Sequence, residues 1–233
     1  MKELFSPCML GGLHLRNRIC RSATNDYAGN EDGTVSDAQM EIYRALAENE
    51  VGLILTGHAC VCPDGRNDPR QNGMYDDRFL VSQRALTDMV HRLGGTIVQQ
   101  LNHSGGKCPP AVIGGAPAAP SAMEYVPGVM ARALEASEIQ RIEDDFAAAA
   151  VRAKAAGYDG VQIHCAHGYL FSQFIDPSGT NGTTVTAAPP KTASALCAKL
   201  LKRCARRSGR TIRFCSSCTR TPRRPIRIFG PRS

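Results

Sequence analysis

The sequence lacks any long apolar run. No stretch of about 18 or more consecutive apolar residues occurs, so we expect no membrane span. The first residues, Met1 to Pro7, also lack the apolar run of a secretory signal. These absences predict a cytoplasmic protein, and the ten cysteines are expected to be mostly reduced.

Acidic residues are missing from the end of the chain. Residues 177–233 contain 13 Lys and Arg and no Asp or Glu, whereas residues 1–176 have a net charge of −6. The overall charge of +7 therefore comes from the tail alone. This change in composition predicts two segments, a folded part over 1–176 and a basic, acid-free tail over 177–233. The tail brings no aromatic platform or recognisable nucleic-acid-binding fold, so we expect neither a nucleic-acid partner nor a membrane partner.

The first 176 residues alternate between strand and helix patterns. A short hairpin pattern runs from Pro7 to Leu15 around a Gly11-Gly12 turn. Buried-strand patterns occur at residues 17–25, 52–56 (ending at Gly57-His58), 96–101 and 161–164. Ser36 with Gln39 and Ser137 with Gln140 form capping-box patterns, Asp76 can cap a second helix, and a fourth helix pattern covers 169–176. Four strand–helix repeats predict a parallel α/β sheet or barrel. The Pro- and Gly-rich residues 104–136 are predicted to form a long loop of lid or binding type.

The most informative stretch follows the fourth strand. Parallel α/β folds carry their chemistry at the carboxyl ends of strands, where His164, His167 and Tyr169 lie. In a continuous strand, positions i and i+3 would face opposite ways. If the strand stops near Cys165 and the chain turns at Gly168, two imidazoles and a phenol converge.

Other interpretations of these residues remain open. The two histidines suit ordinary core or loop positions, or a zinc pair that would need a third ligand such as His103 or Cys165. Tyr169 suits a packed aromatic, and His58 and His103 stay unassigned. Cys60 and Cys62 are interpreted as buried thiols. Cys215 and Cys218 have half the spacing of a zinc ribbon without a second pair, so we expect no metal.

Several motifs in one order resemble the N-terminal half of a known family. They are Leu4-Phe5-Ser6-Pro7, Asn17-Arg18-Ile19, Arg21-Ser22-Ala23-Thr24, Gly52-Leu53-Ile54, Gln100-Leu101-Asn102-His103-Ser104-Gly105 and His164-Cys165-Ala166-His167-Gly168-Tyr169. Residues 4–176 carrying them resemble the old yellow enzyme family of NADH:flavin oxidoreductases. The resemblance implies an α/β fold of the (β/α)₈ TIM-barrel type, represented here by about its first four β/α units and followed by an irregular basic tail.

The resemblance also implies a cofactor, a reaction and a set of site residues. Such enzymes bind FMN at the carboxyl ends of the strands and pass hydride from NADH or NADPH through the flavin to an activated alkene. Carried over by motif, the flavin contacts are Ala23, Thr24, Asn25, Gly57 and Gln100. His164 and His167 correspond to the pair that binds the electron-withdrawing oxygen of the substrate, and Tyr169 corresponds to the proton donor.

The chain departs from the family pattern in two places. Asn25 stands where many relatives have Thr or Cys, a position that tunes the flavin potential. After Asp176-Pro177 the expected Asn-x-Arg-x-Asp-x-Tyr-Gly-Gly type segment is absent. The residues that follow show no strand periodicity, and only residues 193–203 have a helix pattern. We therefore expect residues from about 178 onward to come from a shifted reading frame or to be disordered, and FMN binding to be weak or lost.

Two alternatives to an active flavoenzyme follow from the sequence. One is a catalytically inactive truncated fragment, or one that needs a partner half-barrel or associates with itself through open barrel edges. The other, an aldolase-type barrel without flavin, is disfavoured because no lysine lies at a strand end for Schiff-base chemistry.

Overall fold

The computed structural model describes residues 4–176, Arg206 and the backbone of Ile212–Ser216. Within this part of the chain, no helix combines the length and the hydropathy that crossing a membrane requires. The helix pattern over residues 193–203 and most of the tail lie outside the described residues.

The described residues form strands and helices in the expected alternation. The strands are β1 (Cys8–Leu10), β2 (Leu13–Leu15), β3 (Cys20–Arg21), β4 (Leu53–Cys60), β5 (Ile97–Asn102), β6 (Ala118–Ala119), β7 (Glu124–Val126), β8 (Val129–Met130), β9 (Arg132–Ala133), β10 (Gly160–His164) and β11 (Ile212–Ser216). The helices are α1 (Asp37–Glu48), α2 (Leu80–Arg92), α3 (Pro110–Ile113), α4 (Ala136–Ala155) and α5 (Leu170–Ile175).

One parallel sheet organises these elements. Its strands lie in the order β3, β4, β5, β10, β11, and every neighbouring pair is parallel. Because each strand lies beside the preceding strand of the same sheet, the order never reverses as it does in a doubly wound sheet. The arrangement is that of consecutive units of a β/α barrel.

The two faces of the sheet pack against different partners. Side chains alternate between faces along a strand, so Ile54 and Ile97 pack with the helices in the main core, and Leu55 and Val98 form a second cluster on the inner face. The β1–β2 hairpin covers this inner cluster with Leu15. Gly11 and Gly12 form its turn with φ of 56° and 91°, as the sequence predicts.

The helix starts test the capping predictions. Ser36 and Gln39 form the predicted capping box at the start of α1. The prediction of a Ser137–Gln140 capping box is wrong. Helix α4 begins at Ala136, with Glu135 as its N-cap and Glu138 as the residue that closes the box. Arg132 holds Glu138 through two hydrogen bonds of 2.8 and 2.6 Å, which fixes the start two residues earlier than predicted.

The long loop and the tail both contain more structure than the sequence suggests. Residues 104–136 include α3 and four short strands, in which β6 pairs with β9 and β7 with β8. The expectation that the tail lacks strand structure is wrong for Ile212–Ser216, whose backbone pairs in parallel with β10. The position beside β10 is therefore filled by a strand from the acid-free segment.

Candidate functional site

The chain turn after β10 brings His164, His167 and Tyr169 together. His167 and Gly168 adopt φ of 60° and 70°, which reverses the chain just past the strand. The ring centroid of His164 lies 4.9 Å from that of His167 and 5.0 Å from that of Tyr169. The His167 and Tyr169 centroids are 6.4 Å apart. The convergence expected from a turn at Gly168 is therefore present.

Hydrogen bonds fix where the protons lie on the two imidazoles. The backbone N–H of Ala166 donates to Nδ1 of His164 at 3.2 Å, so the neutral ring carries its proton on Nε2. That Nε2–H donates to Nδ1 of His167 at 3.1 Å, which leaves Nε2 of His167 as a donor. Burial, followed by the neighbouring His58 and His167, lowers the pKa of His164 to about 3, so the His164 ring is uncharged at neutral pH.

His58 is a site residue that sequence reasoning left unassigned. It lies in β4, with its ring centroid 5.7 Å from His164 and 5.4 Å from Tyr169. The sequence predicts that this strand ends at Gly57-His58, but it continues to Cys60 through a register shift between Leu55 and His58. Because of this bulge, the side chains of Leu55 and His58 both lie on the inner face although the two residues are three positions apart.

Gln71 holds the His58 ring in one tautomer. Oε1 of Gln71 accepts the N–H of Asn67 at 2.9 Å, which fixes Nε2 as the donating end of the amide. Nε2 then donates to Nδ1 of His58 at 2.7 Å and to its carbonyl at 3.2 Å. His58 is therefore neutral with its proton on Nε2. Burial, followed by the neighbouring His167, lowers its pKa to about 4.

Gln100 lies on the same face of the sheet as these imidazoles. Gln100 pairs with His58 in β4 and with Gln162 in β10. Its Nε2 donates to Oε1 of Gln162 at 2.7 Å, and Gln162 shares a face with His164 two positions on. Among the described residues, Oε1 of Gln100 accepts no hydrogen bond and, in contrast to the Asn25 amide nitrogen, is not enclosed by protein.

The segment after β3 packs directly on Gly57. A Cβ at Gly57 would lie 3.0 Å from the carbonyl oxygen of Thr24 and 3.6 Å from Cα of Asn25. Ala23 packs against the inner cluster, and Thr24 is exposed. Nδ2 of Asn25 is enclosed and has no hydrogen-bond partner within the described part of the chain. The small size of Gly57 thus admits this backbone segment.

A hydrogen-bond network with α1 holds the same segment in place. Tyr43 Oη accepts the N–H of Gly57 at 2.9 Å and lies 3.3 Å from Oδ2 of Asp26, to which it donates. Gln39 Nε2 donates to Oδ1 of Asp26 at 2.9 Å. Burial, followed by the Asp26 charge, raises the pKa of Tyr43, so this phenol stays protonated as the donor.

A second cluster resembles a metal site by residue type. Ligand atoms of Cys62, Asp64 and His103 lie within 4.8 Å of one another, and no other such group of three occurs among the described residues. The N–H of Gly105 donates to Nδ1 of His103 at 3.0 Å, so the neutral ring presents a proton on Nε2 rather than a lone pair. Arg141 pairs with Asp64 at 2.6 Å. This donor set does not suit a cation. In the part of the chain that the structure describes, no third Cys, His, Asp or Glu forms such a group with His164 and His167.

The inner face suits the flavin that the resemblance implies. A flavin pyrimidine edge has one N–H donor between two carbonyl acceptors. The Gln100 amide carries an unengaged oxygen acceptor and an N–H group, which complements such an edge. The imidazoles and the phenol gather on the same side, where a substrate would meet the ring.

Comparison with known proteins identifies relatives of this chain. The chain is 39% identical over 178 residues to an NADH oxidase of Thermoanaerobacter brockii, covering 75% of this chain and 27% of that protein. It is 36% identical over 185 residues to a probable NADH-dependent flavin oxidoreductase of Bacillus subtilis, covering 78% of this chain and 49% of the relative. An old yellow enzyme homologue from Zymomonas mobilis superposes with a TM-score of 0.83 at 31% identity, covering 91% of this chain and 63% of that structure.

The chain spans from about a quarter to a half of the length of these curated relatives. A family model for NADH:flavin oxidoreductases and NADH oxidases matches residues 3–184, which is most of the chain. The order of the parallel strands and the similarity to the Zymomonas structure are consistent with that match. The chain belongs to the NADH:flavin oxidoreductase / NADH oxidase family, of which it carries the N-terminal part of the α/β barrel.

Proposed function

We propose that the chain acts as an FMN-dependent oxidoreductase that passes hydride from NADH or NADPH through the flavin to an activated alkene of enone or enoate type. The observation that supports the proposal most is the single face shared by Gln100, His58 and the group of His164, His167 and Tyr169. FMN, when bound, supplies the hydride chemistry. The chain's own residues bind, orient and protonate.

The imidazoles would bind the carbonyl oxygen of the substrate. Negative charge develops on that oxygen when hydride reaches the β-carbon, and N–H donors aimed at it stabilise the charge. His167 offers its Nε2–H directly, since its Nδ1 is the acceptor of His164. The Nε2–H of His164 becomes available when the substrate oxygen replaces Nδ1 of His167 as its acceptor. Both rings then donate to one oxygen.

Tyr169 would supply the proton that the α-carbon needs. Its phenol lies beside both His58 and His164. Burial, followed by the neighbouring Tyr27, raises its pKa, so the group is protonated at neutral pH. A protonated phenol within hydrogen-bond reach of a forming carbanion acts as a general acid.

Five residues would hold the flavin. The Gln100 amide would bind the pyrimidine edge, and the Ala23, Thr24 and Asn25 backbone would lie along the ring. Gly57 would serve through the close packing of that segment, with its N–H engaged by Tyr43. The network of Gln39, Tyr43 and Asp26 keeps the segment in one position.

The proposal is tested with cyclohexenone, excess FMN, and NADH or NADPH, with quantification of cyclohexanone. We expect turnover with the unaltered chain and at least a tenfold loss in Tyr169→Phe, since a general acid contributes about 10² to 10⁴ in rate. Tyr75→Phe is the matched control, because Tyr75 packs against Phe79 instead. No product from the unaltered chain, or equal turnover in Tyr169→Phe, would refute the assignment.

A second candidate function is a half-barrel that works with another half. It is favoured by a groove of about 390 Å³ on the hairpin side, lined by apolar side chains that include Leu10, Leu15, Leu53 and Leu55. Within the described residues, β3 pairs on one side only. Such an edge invites another strand. Analytical ultracentrifugation of this chain tests pairing with a second copy. A productive pair of two copies sediments as one species of twice the mass, and a chain that acts alone sediments as a monomer.

A further inference from the structure

We propose that Asn67, placed by Gln71, is a positioning residue that donates a hydrogen bond to the Tyr169 phenol and strengthens it as an acid. This inference rests on the proposed function, in which Tyr169 protonates the substrate. Neither Asn67 nor Gln71 belongs to the motifs that carry the family resemblance.

The contact joins two distant parts of the chain. Nδ2 of Asn67 donates to Oη of Tyr169 at 2.8 Å, although the two residues are 102 positions apart. Asn67 lies in the loop between β4 and α2, and Tyr169 directly precedes α5. Both side chains are half-buried, so the hydrogen bond is partly shielded from water.

Gln71 fixes the position of Asn67. It is buried, with 2% of its surface exposed, and its Oε1 accepts the backbone N–H of Asn67 at 2.9 Å. The other end of the same amide donates to the His58 ring and carbonyl. One glutamine therefore links the loop that carries Asn67 to strand β4. This link holds Asn67 in position to donate to the phenol.

The direction of the hydrogen bond decides its chemical effect. An N–H that donates to a phenol oxygen stabilises the phenolate more than the phenol, which favours release of the proton. It also leaves the O–H of Tyr169 free to point at a substrate carbon. In the transfer, the O–H bond breaks, a C–H bond forms at the α-carbon, and the electron pair stays on Oη. The Asn67 N–H stabilises that charge until water returns the proton.

Burial acts in the opposite sense on Tyr169. Removal from water raises the pKa of the phenol and would make it a poor acid, and the Asn67 hydrogen bond offsets part of this rise. The hydrogen bond from the loop thus restores part of the phenolate stabilisation that burial removes.

The test follows ionisation of Tyr169 directly. Tyrosines are replaced biosynthetically by 3-fluorotyrosine, which brings phenol titration into a milder pH range, and each is followed by ¹⁹F NMR. Tyr169→Phe identifies the resonance. We expect Asn67→Leu to lower the acid dissociation constant of Tyr169 about tenfold, the size of a charge-assisted hydrogen bond.

Asn67→Asp is the second variant and keeps the size of the side chain. Its carboxylate would disfavour a neighbouring phenolate, so the acid constant should fall further than in Asn67→Leu. Asn49→Leu is the matched control, since Asn49 donates to Ala45 at the end of α1. Circular dichroism confirms that each variant is folded.

An unchanged Tyr169 titration in both Asn67 variants would overturn the inference. The measurement needs neither flavin nor substrate, so its outcome is separate from that of the proposed function. A shifted titration without alkene reduction by the unaltered chain would refute the function alone. Alkene reduction with an unshifted titration would refute the role of Asn67 alone.

Discussion

His164 donates its Nε2–H to Nδ1 of His167 across 3.1 Å, so the two imidazoles form one directed pair. The direction is set by the backbone N–H of Ala166, which occupies the other nitrogen of His164. In the proposed function, a substrate oxygen that enters between the rings would take the place of one acceptor and receive both N–H groups. The pair should therefore behave as a unit.

We predict that the two histidines are strongly non-additive. His164→Ala and His167→Ala should each lower kcat/KM for the alkene by about 10²-fold, the effect of losing one donor to a developing oxyanion. The double variant should lose little more, because both donors serve one oxygen. Steady-state kinetics at saturating FMN measures this. His14→Ala, an exposed position on β2, is the control, and multiplicative losses would contradict a shared oxygen.

We predict that Gly57→Ala disturbs the backbone of residues 23–25, which is proposed to lie along the flavin ring. The new Cβ would lie 3.0 Å from the Thr24 carbonyl oxygen, so residues 24–25 must move by a few tenths of an ångström. Overpacking of this kind costs about 1 to 2 kcal/mol in the free energy of unfolding, and flavin affinity should fall several-fold.

Gly115→Ala provides the matched control for this substitution, since nothing lies within 4 Å of a Cβ there. Urea unfolding and flavin fluorescence quenching measure both variants. If Gly57→Ala is as stable as Gly115→Ala and binds flavin equally well, the packing role of Gly57 is wrong.

We predict that His103 makes the fold sensitive to acid. Burial lowers its pKa from 6.5 to about 4, so below pH 6.5 the unfolded chain binds a proton that the folded chain does not. Its contribution to stability is complete above pH 6.5 and falls by about 1.4 kcal/mol per pH unit down to pH 4.

His103→Asn removes this titration and keeps an acceptor for the N–H of Gly105, which the ring now binds through Nδ1. Urea unfolding between pH 4.5 and 7.5 should show a shallower loss of stability in the variant than in the unaltered chain. Equal slopes would mean that His103 is not buried as a neutral ring.

Much of the fold could be predicted from local patterns. The hairpin around Gly11 and Gly12, the Ser36 cap and the central strands each depend on residues close in sequence, where period and turn chemistry are informative. The convergence of His164, His167 and Tyr169 also followed, because it needs only a turn at Gly168.

The site features that the sequence could not give depend on distant contacts. His58 reaches the inner face through a bulge, and an unbroken alternation counted from Leu55 would have put it among the helices. Asn67 meets Tyr169 only because two loops 102 positions apart lie over the same strand ends. The prediction of a Ser137 cap is wrong for a local reason, since Arg132 favours Glu138 as the closing residue.

The central claim is that the face carrying Gln100 binds an isoalloxazine ring beneath the imidazoles and the phenol. Lumiflavin tests it most directly, because this ring has no phosphate and reports the ring site alone. The account predicts saturable quenching of lumiflavin fluorescence, weakened about tenfold in Gln100→Leu by loss of the amide hydrogen bonds and unchanged in Gln140→Leu on the exposed face of α4. No saturable binding, or equal affinity in the two variants, would contradict it.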